Sequence, residues 1–144
     1  MRSQVPTRFG AAAWLFILAA CASQAPFSLD DAIDRTTSHF GNDRAVFFRV
    51  GSTDRLTDSI QLWINDVHED GERLAKVLSI SGAKIGVGGP VPAKTRAVVQ
   101  SALEQMSGSP DRGSEILVIG SLRGQDALQE LAEKAHVKIS FIDT

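Results

Sequence analysis

Between residues 45 and 142 the chain alternates short β-forming runs with apolar stripes at helical spacing, and this alternation limits the possible folds more than any other feature. Ala45 to Val50 (AVFFRV), Lys84 to Val87 (KIGV), Glu115 to Gly120 (EILVIG) and Val137 to Ile142 read as strands, the second closed by Gly88-Gly89-Pro90. The unbroken apolar run of the third predicts a strand covered on both faces. Between the strands, Leu56, Ile60, Trp63, Ile64 and Val67 form one helical stripe, with Trp63 expected in the core. That helix is expected to break or bend at Gly71, with Leu74, Val77 and Leu78 as its continuation. Pro92 suits the first turn of a second helix ending at Met106, whose buried face is Val98, Val99, Ala102, Leu103 and Met106. Ser107 to Gly113 is a loop, and Leu128, Leu131, Ala132 and Ala135 mark a third stripe. Ser28, followed by Leu29-Asp30-Asp31, predicts an N-cap with acidic residues in the first turn of a further helix that stops at Gly41-Asn42. The expectation is a single α/β domain over residues 28–144: β-α-β-α-β-α-β order, helices packed on a four-stranded sheet, one N-terminal helix ahead of it. Parallel neighbours would take right-handed crossovers, and the strand order stays open.

The first 20 residues follow different rules. Arg2 and Arg8 supply a charged start, Gly10 to Leu18 an apolar stretch, and Leu18-Ala19-Ala20-Cys21 matches the lipobox at which a bacterial cysteine is cleaved and lipidated. The run is too short for a membrane span, which needs about 20 apolar residues. Cys21 is the chain's single cysteine, and its place at the cut has no packing explanation. Residues 1–20 are therefore expected to be a signal peptide, and 21–27 a lipidated cysteine with a short linker that reaches about 20 Å when extended. Acyl chains on Cys21 would hold the protein to membrane lipid durably. Ala22 is not the aspartate that resembles an inner-membrane retention signal, so the expected location is the outer membrane of a bacterial envelope, facing the periplasm.

Several pieces of residues 45–144 resemble the OmpA-like domain of outer-membrane anchors and of the peptidoglycan-associated lipoprotein. Val46-Phe47-Phe48 leading through Gly51-Ser52-Thr53 to Leu56 is similar to its opening strand and turn. Lys84-Ile85-Gly86-Val87-Gly88 and Thr95-Arg96-Ala97-Val98-Val99 resemble its second strand and the helix with an Arg-Ala pair. The resemblance implies a peptidoglycan-contacting site in which an aspartate and an arginine grip the charged groups of diaminopimelate. Arg96 matches the arginine. The aspartate has no counterpart, because no Asp or Glu occurs from Arg73 to Leu103, and Ala135-His136 stands where the family has arginines before its last strand.

That acid-free window holds Arg73, Lys76, Lys84, Lys94 and Arg96, whereas residues 28–72 and 104–144 are both net acidic. It predicts a cationic patch, with Arg96, Lys94 and Lys84 as candidate partner-binding residues for an acidic protein face, anionic lipid or wall carboxylates. Removal of residues 1–20 leaves 13 basic against 17 acidic side chains, which argues against a nucleic-acid partner. Gly88 to Thr95 falls one glycine short of a phosphate loop, and its prolines remove donors that a phosphate cradle needs. His39, His68 and His136 lack metal-ligand spacing. Ser121 is misplaced for a nucleophile elbow and reads as a turn residue and helix cap. Asp66, Glu69, Asp70 and Glu72 read as a hydrophilic helix end. No cofactor and no catalysis are expected. The chain reads as an envelope lipoprotein that binds or scaffolds, contacting peptidoglycan or a wall-associated protein; the alternative is an accessory subunit of a secretion, pilus or other envelope-spanning assembly.

Overall fold

The computed structural model describes residues 26–41, 45–51, 60–120 and 122–143, with side chains of the second helix described from Ile64 onward. Its order is α1 (Leu29–Phe40), β1 (Val46–Arg49), α2 (Ile60–Leu78), β2 (Lys84–Gly88), α3 (Pro92–Gln105), β3 (Glu115–Ile119), α4 (Gln125–Ala135) and β4 (Lys138–Ile142). The expected α/β class, element order and leading helix are all present. The four strands are parallel and lie side by side in chain order, β1-β2-β3-β4.

Register sorts the strand residues onto two faces. Ile85, Ile116 and Ile139 align, as do Phe48, Val87, Val118 and Phe141, and these residues pack with Leu74, Leu78, Val98, Val99, Leu103, Leu128 and Ala132 of α2, α3 and α4. All three crossover helices therefore cover one face, so the three crossovers share one hand. The other face carries the rows Phe47-Gly86-Leu117-Ser140 and Arg49-Gly88-Ile119-Ile142. Across it lies α1, whose Ala32 forms a second buried cluster with Leu117 and Ile119. Burial on both faces explains why β3 reads as an unbroken apolar run, with Ile116 to Ile119 at most 3% exposed.

The caps of α1 follow the expected chemistry. Ser28 accepts a hydrogen bond from the Asp31 amide at 3.3 Å, and Gly41 ends the helix at φ 65°. This helix runs antiparallel to the strands: Thr36 packs against Gly86, and one turn later the Phe40 ring lies 5.9 Å from the Lys84 ammonium, two residues nearer the amino end of β2. Four helical residues rise about 6 Å and two strand residues about 6.6 Å, so the two paths stay in step.

Two expectations need correction. Gly71 does not break the helix into two pieces, because α2 is continuous from Ile60 to Leu78. A Cβ at Gly71 would stand 2.3 Å from Ser101 Oγ, so this glycine lets α2 and α3 approach closely. Consequently Asp66, Glu69, Asp70 and Glu72 lie within a helix rather than at its end. The N-cap of α4 is Gly124, at φ 74°, instead of Ser121. Ser121 itself, the side chain of Trp63, Leu56 and Cys21 with its leader lie outside the described residues.

Candidate functional site

Parallel strands send all their carboxyl ends to one edge, and the loops there are where α/β sheets usually bind ligands, in a crevice created by a reversal of strand order. The order β1-β2-β3-β4 contains no reversal. Among the described residues, the strand ends at the carboxyl edge are joined by close backbone contacts. Val50 N donates to Gly88 O at 2.9 Å, and a Cβ on Gly89 would lie 2.3 Å from Val50 O. Gly120, at φ 145°, donates its amide to Ile142 O at 2.9 Å.

Helix α3 starts from this edge. Pro92 is its first residue and Val91 its N-cap, with no side-chain capping bond, and Val91 O accepts from the amides of Lys94 and Thr95 at 3.1 Å each. Two of the three predicted binding residues come together here. Lys94 is only 3% exposed, and its ammonium stands 3.6 Å from Asp66 Oδ2 on α2. Arg96 Nη1 donates to Arg123 O at 2.9 Å, which ties α3 to the turn before α4. Lys84 is not part of this group. It begins β2 at the opposite, amino edge, beside Phe40.

The cationic window is also partly neutralised by residues outside it. Asp66 faces Lys94, and Asp70 lies 3.7 Å from Arg73. Nothing in the sequence links Asp66 to Lys94, because two helices separated by a strand bring them together. The stem of a buried lysine contributes packing as well as charge. Lys94→Ala is expected to lower stability more than Lys94→Met, and Asp66→Ala, whose side chain is 42% exposed, to cost less than about 1 kcal/mol; chemical denaturation of the three variants checks the order.

A concavity of about 340 Å³ opens at the amino ends of β3 and β4, lined by Asp111, Ser114, Glu115, Glu133, His136 and Lys138 among others. Ser114 Oγ, buried, donates to Leu78 O at 2.6 Å, and His136, at φ 56°, donates from Nδ1 to Ser109 O at 2.7 Å. Glu115 and Lys138 stand 3.9 Å apart across neighbouring strands. No sequence pattern marks this groove, since its residues come from separate loops and strand starts. Among the described residues there is no group of three His, Cys, Asp or Glu placed to hold a metal ion, and no helix long and apolar enough to cross a membrane.

What the geometry defines is a class: a parallel α/β domain wound in one direction, with a groove at the amino edge of its sheet. No protein-family model matches the chain, and neither a curated protein nor a solved structure does.

Proposed function

We propose that the protein is a bacterial envelope lipoprotein, anchored through acylated Cys21 to the periplasmic side of the outer membrane, whose α/β domain binds or scaffolds and does not catalyse. The observation that carries this reading is Leu18-Ala19-Ala20-Cys21, with its single cysteine at the end of an apolar run. The position of α1 supports it. The domain's first helix is capped at Ser28, so only six residues separate it from the acylation point.

Of the two roles open to such a module, the accessory subunit of an envelope-spanning assembly is the better supported. Wall contact of the OmpA-like kind would rest on Arg96, aided by Lys94. Arg96 already donates to Arg123 O, and Lys94 is buried beside Asp66. Both cations are engaged inside the domain, which leaves a protein partner as the natural ligand and tethering as the source of its effective concentration. Sedimentation with purified sacculi separates the roles: the wild-type protein is expected to stay in the supernatant, whereas co-sedimentation lost in Arg96→Ala would establish wall binding. Labelled palmitate is expected to enter the wild-type chain and to be absent from Cys21→Ser; label retained in that variant would contradict the anchor.

A further inference from the structure

Given the acylation of Cys21 proposed above, we infer that the carboxyl edge of the sheet is turned toward the bilayer and meets the phospholipid headgroups, leaving the amino edge and its groove to face the periplasm. The polarity of α1 is the first reason. Thr36 sits against Gly86, and Ser28 lies eight residues earlier, about 12 Å further toward the carboxyl edge by helical rise. Strand β2 extends only two residues past Gly86, so α1 begins at the level of that edge.

Chain length is the second reason. The Phe27 ring stacks on Phe47 at 6.4 Å between centroids, which fixes the start of the domain. Ala22 to Pro26 then form the tether, and the six Cα–Cα steps from Cys21 to Phe27 reach about 20–22 Å when extended. From the level of Ser28 to that of Lys84, at the amino edge, is about 19 Å before any loop is added. Turning the amino edge to the membrane would need the tether at nearly full extension, whereas the carboxyl edge needs almost none of it.

Surface chemistry is the third. The carboxyl edge presents the exposed Arg49, the start of α3 and of α4, and the exposed apolar residues Leu29, Val91 and Leu122, which are 39%, 37% and 43% exposed. Arginine interleaved with exposed aliphatic side chains suits the headgroup layer, where guanidinium groups meet phosphate and apolar tips enter the acyl boundary. Asp30, Asp126 and Asp143 share this edge and balance the charge of Arg49, Arg96 and Arg123, so the exposed aliphatic side chains are its main feature. At the amino edge Val46 and Ile80 are exposed as well, and the groove there mixes Asp111, Glu115 and Glu133 with His136 and Lys138, so the tether, more than net charge, distinguishes the two edges.

The test uses the full chain, acylated at Cys21 and recovered from membranes, with one additional cysteine at either edge: Leu122→Cys at the carboxyl edge or Ser107→Cys at the amino edge. Each is labelled with a fluorophore and reconstituted into vesicles of phosphatidylethanolamine and phosphatidylglycerol that contain a headgroup-nitroxide lipid. The label at position 122 is expected to be quenched several-fold more strongly than the label at 107. Equal quenching, or stronger quenching at 107, in protein that floats with the vesicles would overturn the orientation and leave the anchor standing. Protein that carries no acyl group and does not float would overturn both.

Discussion

A valine at position 86 is expected to lower the stability of the domain by about 2–3 kcal/mol, seen as a fall in the urea midpoint at unchanged slope. Gly86 is where α1 meets the sheet. A Cβ there would stand 2.0 Å from Thr36 Oγ1 and 2.7 Å from its Cγ2, and Thr36 is held in place because its hydroxyl donates to Ala32 O at 2.8 Å. The helix must lift, which opens the cluster of Ala32, Leu117 and Ile119 to water. The pair is expected to be coupled: in a Gly86→Ala background, Thr36→Ala removes the two shortest contacts and recovers part of the loss. Strictly additive effects would mean that α1 docks elsewhere.

On the other face, Leu103→Ala is expected to cost about 2–5 kcal/mol through lost burial and the cavity left behind. Leu103 is fully buried within the cluster that joins α2, α3 and α4 to the sheet. The helix pair around it is tightly apposed through Gly71 and Ser101, so the surroundings have little freedom to collapse into the gap. Ile33→Ala, by contrast, removes a side chain that is 41% exposed on α1 and should change stability only slightly. A small effect at Leu103 would show that the three-helix layer does not form the main core.

Most of the fold was legible because each element carries its own local signal. Ser28 and Gly41 announce both ends of α1, Pro92 announces the start of α3, and the five apolar residues assigned to the face of α3 are all buried. Gly71 misled because glycine weakens a helix and also permits close approach, and the sequence does not say which use applies until Ser101 is seen opposite it. The cap of α4 was misplaced for a similar reason: Gly124 reaches φ 74° without the side-chain bond that a serine signals. Strand order could not be read at all, since the pairing of β1 with β2 and of β3 with β4 depends on contacts far apart in the chain.

The candidate site was legible only in part. Net charge by segment brought out Lys84, Lys94 and Arg96, yet charge counted along a chain ignores where strands carry it. Four residues of extended β2 and the turn after it set Lys84 at one edge and Lys94 at the other. Burial of Lys94, its neighbour Asp66 and the bond from Arg96 to Arg123 are all tertiary facts. The amino-edge groove, built from the loop at 111–114, the end of α4 and the starts of β3 and β4, left no pattern to find.

The central claim is that one sulfur atom holds this domain to a membrane outside the cytosol. Mass spectrometry of the mature chain, isolated from fractionated cells, tests it most directly. The predicted species begins at Cys21, carries lipid on that residue and is found with the membranes. A chain intact from Met1, without lipid and recovered with the soluble cytosolic proteins, would contradict it.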